Sequence, residues 1–253
     1  MTESYFQFLL KQVDTPFEGW DFSYISDTGR VATEPFPWSY TNWVLKELFH
    51  SESMLDMGTG GGEFLSKLLP LPKMTAATER YKPNIPIARK RLNPLGVKVY
   101  EVEDDSKLLF KDEQFDLVIN RHESYSPDEV NRILQHKGIF ITQQVGGTDN
   151  LRLNELLGAP MDFGYAEWQL AKAVEDIKAA GFTILEKKEA HPFTRFYDVG
   201  TICYYLKAIP WQIDDFSIEK YEKQLYNIHK IIEQKGYIEV KSDRFIIKAV
   251  KNS

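Results

Sequence analysis

The residues best suited to chemistry lie between Met54 and Leu65, in the run MLDMGTGGGEFL. A strand-like apolar start leads to Asp56, and glycines follow at positions 58, 60 and 62. Glycines let the backbone turn sharply and approach a ligand that a Cβ atom would hold off. The residues after the turn predict a helix, whose N-terminal N–H groups would favour a carboxylate or a phosphate. The run therefore predicts a site for a nucleotide-like cofactor.

The spacing of these glycines excludes two common nucleotide-binding motifs. A dinucleotide site requires G-x-G-x-x-G, and here the third glycine position falls on Glu63 or Leu65. A P-loop requires Lys followed by Ser or Thr after its last glycine, and neither follows here. The pattern that remains is D-x-G-x-G-x-G.

The bulk composition is that of one globular domain with additions: 253 residues, of which 43% are hydrophobic and 27% charged. The net charge of −6 argues against a nucleic-acid partner. Cys203 is the only cysteine, which excludes an intrachain disulfide, and its apolar neighbours predict a packed thiol. The sequence has neither a signal-peptide pattern nor a run of roughly 18 apolar residues, so we expect no membrane partner and a cytoplasmic protein.

Strand-like and helix-like segments alternate after the glycine loop, which predicts an α/β fold with a mostly parallel sheet covered on both faces. The later strands are predicted at 74–79, 97–102, 115–120, 138–144, 182–186 and 244–250. Helices are predicted at 85–92, at 166–180 with Gly181 as the stop, and after Ser126, where Glu129 would complete a capping box.

We expect a single domain with four parts. Residues 1–50 would form an aromatic-rich helical N-terminal cap or lid, 51–190 the cofactor-binding core, 191–236 a helical insertion, and 237–253 the final strand. The second helix of the insertion has one apolar face, formed by Ile218, Tyr221, Leu225, Ile228 and Ile232.

The glycine run and the order of elements resemble the class I S-adenosylmethionine (SAM) methyltransferases, of the methyltransferase type 11-like kind. The resemblance covers about residues 35–190 and the final strand. It implies a Rossmann-like seven-stranded sheet of order 3-2-1-4-5-7-6 with an antiparallel last strand. It also implies SAM as the cofactor and S-adenosylhomocysteine as the product.

The resemblance assigns roles on the cofactor side. Glu79, at the end of strand two, would accept the ribose hydroxyls, and Asp104 would accept from the adenine amine. Asp56 would face the ammonium group of the cofactor, pin the glycine turn, or do both. The predicted cofactor-binding residues are Asp56, Gly58, Thr59, Gly60, Gly62, Glu79, Arg80, Asp104, Asp105 and Asn120.

The acceptor side depends on the segment 120–125, because in this family the end of strand four faces the methyl group. The segment lacks the [ND]-P-P-[YF] motif of many enzymes that methylate amino groups in nucleic acids and proteins. His122 and Glu123 are candidate general bases, since an acceptor hydroxyl must lose a proton. The alternative is a structural hydrogen-bonding cluster. The candidate substrate contacts are Trp20, Tyr24, Trp38, Arg121 and Gln144, and no metal site is predicted.

The sequence thus predicts a SAM-dependent methyltransferase that transfers a methyl group to an O, N or C atom of a small molecule. Two alternatives stay open: an RNA methyltransferase, and a SAM-binding module without turnover. A dehydrogenase is a more distant possibility. The acceptor and the oligomeric state are not determined by the sequence.

Overall fold

The computed structural model describes residues 3–17, 21–161 and 164–252, which form two β-sheets flanked by helices. The strands are β1 (Val31–Thr33), β2 (Ser53–Met57), β3 (Met74–Glu79), β4 (Lys98–Glu101), β5 (Phe115–Arg121), β6 (Leu134–Val145), β7 (Phe182–Ala190), β8 (Phe193–Phe196), β9 (Ile238–Lys241) and β10 (Arg244–Lys251). The α-helices are α1 (Glu3–Leu10), α2 (Ser23–Ser26), α3 (Tyr40–Leu48), α4 (Asn84–Leu92), α5 (Pro127–Ile133), α6 (Leu151–Leu157), α7 (Leu170–Ala179), α8 (Val199–Ala208) and α9 (Ile218–Lys235). Short 3₁₀ turns cover Lys11–Asp14, Leu65–Lys67 and Asn93–Leu95.

The larger sheet has seven strands in the order β4-β3-β2-β5-β6-β10-β7. Strands β2 to β6 run parallel to one another, and β10 is antiparallel to both β6 and β7. Counted within this sheet alone, the order is 3-2-1-4-5-7-6 with an antiparallel last strand. The sheet implied by the sequence resemblance is therefore confirmed.

The central strands are buried on both faces, as parallel strands between helix layers must be. Successive side chains of a strand point to opposite faces. Accordingly, Leu55 and Val118 pack in the apolar cluster on one face, whereas Met54 and Leu117 pack in the cluster on the other. This double burial fixes β2 and β5 as the rigid centre of the sheet, and the candidate site lies where they end.

The prediction of a helix directly after the glycine turn is wrong. Only the 3₁₀ turn Leu65–Lys67 follows. Pro70 and Pro72 come next in the sequence, and a proline both lacks an N–H donor and clashes with the preceding helical turn. The glycine loop must therefore bind its ligand through its own backbone and side chains, without the N-terminal field of a long helix.

Several predicted boundaries also move. Strand β6 starts at Leu134, before the predicted 138, and the helix predicted at 166–180 starts only at Leu170. The Ser126 hydroxyl accepts from the amide of Glu129, as a helix cap should. The capping box is not completed, because the Glu129 carboxylate accepts from the amide of Leu108 at 2.6 Å and pairs with the Arg132 side chain instead.

A second sheet, which the sequence analysis did not predict, joins the two additions to the core. It has three antiparallel strands in the order β1-β8-β9, with Val31 opposite Phe196 and Phe196 opposite Ile238. The predicted apolar face of the insertion is confirmed: Tyr221, Leu225, Ile228 and Ile232 of α9 are buried, in a cluster that also contains residues of α1 and α8.

An ion pair reinforces this junction. The Arg30 guanidinium donates to both carboxylate oxygens of Asp198, at 2.8 and 2.7 Å. Asp198 also caps α8 by accepting from the amide of Thr201 at 2.9 Å. Cys203, in the same helix, is fully buried, and burial raises the pKa of its thiol to about 12. The predicted packed role of this cysteine is confirmed.

Within the described part of the chain, every helix is too short or too polar to cross a lipid bilayer.

Candidate functional site

The carboxyl ends of β2, β3 and β5 open into one cavity of about 630 Å³. Parallel strands in an open α/β sheet place their carboxyl ends at a common edge, which is where ligands bind. The volume lies within the range of small-molecule sites. The lining residues come from the strand ends (Asp56, Gly58, Thr59, Gly60, Glu63, Phe64, Glu79, Tyr81, Asn84, Arg121, His122, Glu123) and from an outer wall (Asp14, Thr15, Pro16, Phe17, Tyr204, Lys207, Ala208, Pro210, Trp211).

The glycine loop forms the floor of the cavity. Gly58 and Gly60 have φ values of 69° and 62°, a left-handed backbone that favours glycine. Hydrogen bonds hold the loop against β3: Gly58 N donates to Thr78 Oγ1 at 3.3 Å, and Thr59 N donates to Thr78 O at 2.9 Å. The loop is therefore set in place by its neighbouring strand.

Two buried carboxylates lie on either side of this loop. Asp56 is 4% exposed, and burial raises its pKa to about 6, although the nearby charge of Arg121 opposes the shift. Glu79 is 3% exposed, and burial raises its pKa as well. One oxygen of Glu79 accepts from the amide of Tyr81 at 2.7 Å. Both acids line the cavity, as the sequence analysis expected of cofactor-binding residues.

Glu123 is a third carboxylate in the cavity wall. Burial, with Asp105 and Glu79 nearby, raises its pKa to about 7. Its side chain packs against Gly58, so closely that a Cβ atom on residue 58 would collide with Cβ and Cγ of Glu123. A carboxyl group that titrates near neutrality is suited to accept a proton.

His122 is held in a strained conformation by its neighbours. It has a φ of 62°, which is uncommon for a residue with a Cβ atom. Its backbone amide donates to Gln143 O at 2.8 Å, and its Nε2 lies 3.1 Å from Gln143 Nε2. Burial and the charges of Arg244 and Arg121 hold its pKa well below the usual range. These properties favour Glu123 over His122 as a general base.

Arg121 lies on an aromatic shelf at the cavity wall. Its guanidinium carbon is 4.8 Å from the centre of the Phe64 ring and 6.0 Å from that of Tyr40. Such cation–π contacts stabilise the charge and restrict where it can point. Among the described residues, no carboxylate oxygen lies within 4.0 Å of this guanidinium.

The outer wall was missed by the sequence analysis. It combines residues 14–17 with the C-terminal end of α8 and the residues after it. The rings of Phe17 and Tyr204 meet edge to face, and Lys207 Nζ lies 3.8 Å from Asp14 Oδ1. The only sequence signal was the aromatic density of the N-terminal part, which does not reveal that α8 faces it.

Two predicted site residues lie behind the cavity and are corrected here. Asn120 and Gln144 are buried, and Gln144 Nε2 donates to Asn120 Oδ1 at 2.6 Å. The same nitrogen donates to Glu123 O at 3.0 Å, and Thr142 Oγ1 donates to Asn120 Oδ1 at 3.0 Å. These hydrogen bonds join neighbouring strand ends, and neither residue is among those that line the cavity.

The two acids expected near the adenine are also outside the lining. Asp104 is exposed and accepts from the amide and hydroxyl of Ser106 at 2.8 and 2.7 Å, which closes a local turn. Asp105 accepts from the Ser124 hydroxyl. Their carboxylates accept these hydrogen bonds from neighbouring residues, and the role of Asp104 at the adenine stays a prediction.

Two further cofactor predictions need adjustment. Gly62 is a packing residue, because an added Cβ atom would lie 2.7 Å from Leu92 Cγ on α4. Arg80 lies in a shallower depression beside the cavity, which shares Tyr81 and Glu123 with it. Neither residue is among those that line the cavity itself.

Tyr24 and Trp38, the two described aromatic residues that were predicted to contact substrate, do not line the cavity. Trp38 is buried and donates from Nε1 to Gln143 Oε1 at 2.8 Å. Tyr24 packs behind the outer wall, with its ring centre 5.0 Å from that of Tyr204. Trp20 lies outside the described residues. Of the predicted substrate contacts, the structure brings Arg121 into the cavity.

A polar side chain without a protein partner also faces this space. Asn84, at the start of α4, is buried and lines the cavity, and its Oδ1 has no hydrogen-bond partner among the described residues. A buried acceptor of this kind is costly unless a ligand or water satisfies it. Together with two buried carboxylates and a loop without Cβ atoms, it fits a cofactor that carries a cationic group and several hydroxyl and amine donors.

The sequence and the fold were compared with known protein families and solved structures. Residues 55–142 match a family model described as a methyltransferase domain. No curated protein sequence matches this chain. The strand order and the similarity to solved methyltransferases show a methyltransferase-like fold.

Three solved structures illustrate the range of this fold. A candidate methyltransferase from Bacillus halodurans C-125 is 18% identical, with 83% of this chain and 99% of that one covered and a TM-score of 0.59. The [4+2]-cyclase SpnF is 17% identical, with 84% and 80% covered and a TM-score of 0.51. A Haemonchus contortus phosphoethanolamine N-methyltransferase, solved with phosphomonomethylethanolamine and S-adenosylhomocysteine, is 15% identical, with 85% and 53% covered and a TM-score of 0.50.

Proposed function

We propose that this chain, which carries a methyltransferase domain within the class I methyltransferase fold, uses SAM to methylate a small molecule. One observation carries the proposal. Two buried carboxylates, Asp56 and Glu79, end adjacent parallel strands on either side of a positive-φ glycine loop, and all three elements bound the same cavity.

The residues of the cavity are suited to the separate parts of SAM. Asp56 would pair with the ammonium group, and Glu79 would accept hydrogen bonds from the ribose hydroxyls, since one carboxylate can accept two. Gly58 and Gly60 allow the backbone to approach the ligand. When bound, SAM supplies a methyl group on a positively charged sulfur, which an electron-rich O, N or C atom can attack.

The chain itself would supply alignment and a dry environment. The outer wall covers one side of the cavity, and its aromatic side chains Phe17, Tyr204 and Trp211 would limit the access of water to the reacting atoms. Alignment of two reactants can lower a barrier by up to about 7–11 kcal/mol. Glu123, with a pKa of about 7, would remove the proton from an acceptor hydroxyl or ammonium group.

A small-molecule acceptor is supported by the shape and charge of the site. The cavity has the size of a small-molecule site, and three of the nine residues that form its outer wall are aromatic. The net charge of −6 also gives the chain no overall electrostatic attraction for an RNA acceptor. The N-methyltransferase neighbour from Haemonchus contortus, solved with a small phosphorylated amine, also supports this choice.

A second candidate function is SAM binding without methyl transfer. The similarity to the [4+2]-cyclase SpnF favours it, because that protein shares the fold while its name describes a different reaction. The two candidates differ in one observable, which is whether the bound cofactor is consumed.

Titration calorimetry with SAM, S-adenosylhomocysteine and NAD tests the cofactor assignment. We expect micromolar or tighter binding of the first two and none of NAD, with affinity at least about tenfold weaker in Asp56→Ala and Glu79→Ala. Unchanged affinity in both variants would show that the pocket is wrongly assigned. A screen with methyl-labelled SAM against small molecules and RNA then separates a methyltransferase from a binding module.

A further inference from the structure

We propose that Arg121 and His122 together form an anion-binding pair, so that the methyl acceptor of this protein carries a carboxylate or a similar anionic group. The inference rests on the proposed function, because it concerns the acceptor side of the same cavity. It begins with the hydrogen-bonding state of His122.

The orientation of the Gln143 amide determines which nitrogen of His122 carries the proton. The indole N–H of Trp38 can only donate, so the atom of Gln143 that faces it must be Oε1. The NH₂ group of Gln143 is thereby turned toward His122 Nε2, at 3.1 Å. An amide NH₂ can only donate, and His122 Nε2 must therefore be an unprotonated acceptor.

A neutral imidazole with an unprotonated Nε2 carries its proton on Nδ1. A proton on both nitrogens would set an N–H against the NH₂ group of Gln143, so the same contact disfavours the charged ring. No described residue forms a hydrogen bond with Nδ1, and His122 lines the cavity. His122 is thus held as a neutral hydrogen-bond donor, which excludes Nε2 from service as a base.

Arg121 supplies the charge beside this donor. Its guanidinium rests against Phe64 and Tyr40, lines the same cavity, and has no ion-pair partner among the described residues. A guanidinium presents several N–H donors in a plane that matches a carboxylate. Arg121 ends β5, and the positive φ of His122 breaks the strand alternation after it, so that both side chains line the same cavity, where we infer that they reach one anionic group.

The rest of the cavity is lined by carboxylates and by aromatic rings. The carboxylates of Asp56 and Glu79 lie on the side of the glycine loop and suit a cationic cofactor. The aromatic rings of Phe17 and Tyr204 belong to the outer wall, while Phe64 lies beneath Arg121, and these rings suit an apolar or flat body. The acceptor that fits this arrangement is a small organic acid with an apolar ring or chain.

The first test needs no ligand. In ¹⁵N NMR spectra of imidazole-labelled protein at about pH 7, His122 should show a protonated Nδ1 and an unprotonated Nε2. Gln143→Glu, which replaces the donating NH₂ by an acceptor, should move the proton to Nε2 or charge the ring. A protonated Nε2 in the unmodified protein would overturn the proposal.

The second test measures acceptor charge. We would titrate benzoate, phenylacetate and indole-3-acetate, each beside its amide, into protein saturated with S-adenosylhomocysteine, using ligand-observed NMR. We expect at least one acid to bind about tenfold more tightly than its amide. Arg121→Gln should remove this preference, whereas Arg152→Gln, which removes an exposed charge on α6 away from the cavity, should keep it.

Two substitutions of His122 test whether its Nδ1–H donor, and not a change in the fold, gives the preference for acids. His122→Asn keeps a donor near the position of Nδ1 and tolerates the positive φ, so the preference for the acid should stay within about threefold. His122→Ala should reduce it at least about fivefold. Equal loss in both variants, or acids that bind no better than their amides, would contradict the proposal.

Two controls keep the outcomes distinct. If S-adenosylhomocysteine does not bind at all, the proposed function fails; if it binds and the acids show no preference, only the anion pair fails. Arg121 could also bind the carboxylate of S-adenosylhomocysteine itself. We would therefore compare the affinity of Arg121→Gln for S-adenosylhomocysteine with its affinity for 5′-methylthioadenosine, which lacks the amino-acid end. If Arg121→Gln weakens only S-adenosylhomocysteine, Arg121 binds the cofactor's own carboxylate and the proposal is overturned.

Discussion

The side chain of Glu123 lies directly against Gly58, although the two residues belong to different strand ends. A Cβ atom at position 58 would collide with Cβ and Cγ of Glu123, and Gly58 also has a φ of 69°. The loop beneath the proposed cofactor and the candidate base therefore depend on each other.

Gly58→Ala should disturb both. We expect affinity for S-adenosylhomocysteine to fall at least about tenfold, because the loop or Glu123 must move. Gly29→Ala is a matched control, since Gly29 also has a φ of 69° but has no atom within 4 Å of an added Cβ. In urea denaturation, Gly29→Ala should lose about 1 kcal/mol of unfolding free energy from backbone strain, and Gly58→Ala should lose more because its Cβ atom also collides with Glu123. Unchanged cofactor affinity in Gly58→Ala would show that the loop is not part of the site.

The raised pKa of Asp56 predicts a conflict between stability and binding. Burial raises the pKa of Asp56 from 3.8 to about 6. Below pH 3.8 the group is protonated in both the folded and the unfolded protein, and its burial is tolerated. As the pH rises through 6, the buried group ionises and the free energy of unfolding decreases. Asp56→Asn should then stabilise the ligand-free protein at about pH 7.5 by up to about 3 kcal/mol, with little gain at about pH 4. Denaturation at the two pH values measures this.

Asp27→Asn is the control for that comparison, because Asp27 is an exposed residue outside the cavity. It should show no gain in unfolding free energy that depends on pH. For the unmodified protein, affinity for SAM should fall as the pH drops below about 6, since a protonated Asp56 no longer attracts an ammonium group. Constant affinity between about pH 5 and about pH 7.5 would count against the role of Asp56.

Glu123 should control the pH dependence of turnover. Its pKa of about 7 means that the active, ionised form accumulates as the pH rises through neutrality. With the acceptor identified by the labelled-SAM screen, the rate should rise about tenfold per pH unit below 7 and level off above it. Glu123→Gln should abolish this rise of the rate with pH and should lower the rate by about 10²-fold or more. Exposed Glu103→Gln should leave the profile unchanged, and a flat profile in the unmodified protein would exclude a base at Glu123.

The pair of Arg30 and Asp198 should be important for stability. Burial opposes the ionisation of Asp198, but the hydrogen bonds from Arg30 and Thr201 keep its pKa below the usual range. Asp198→Ala removes both the ion pair and the cap of α8 and leaves Arg30 without this partner, at a cost of about 2–4 kcal/mol.

Asp198→Asn separates the two contributions, because its side-chain oxygen can still accept from the amide of Thr201. It should lose clearly less unfolding free energy than Asp198→Ala in urea denaturation. Since a carboxyl with a lowered pKa stabilises the fold only when ionised, the difference between unmodified protein and Asp198→Asn should shrink as the pH falls below about 4. Equal stability of Asp198→Ala and the unmodified protein would show that neither the ion pair with Arg30 nor the cap of α8 stabilises the fold.

Local sequence determined where the glycine loop and the two buried acids of the cavity lie. The D-x-G-x-G-x-G run sits between a buried strand and a tight turn, and Glu79 ends the next strand, so chain order alone places both acids at one sheet edge. The strand order followed from the family resemblance. These inferences succeeded because they depend on backbone requirements within a few residues and on a common topology.

Only the tertiary structure decided which side chains reach the cavity. Asp104 and Gln144 are of the right residue types, but local turns and a buried amide network engage them. Trp38 orients the amide of Gln143, and that amide contacts His122. Trp38 and Gln143 lie 105 positions apart in the chain. The outer wall is formed where α8 packs on residues 14–17. Such contacts depend on packing between distant segments, and no local pattern of residue types encodes them.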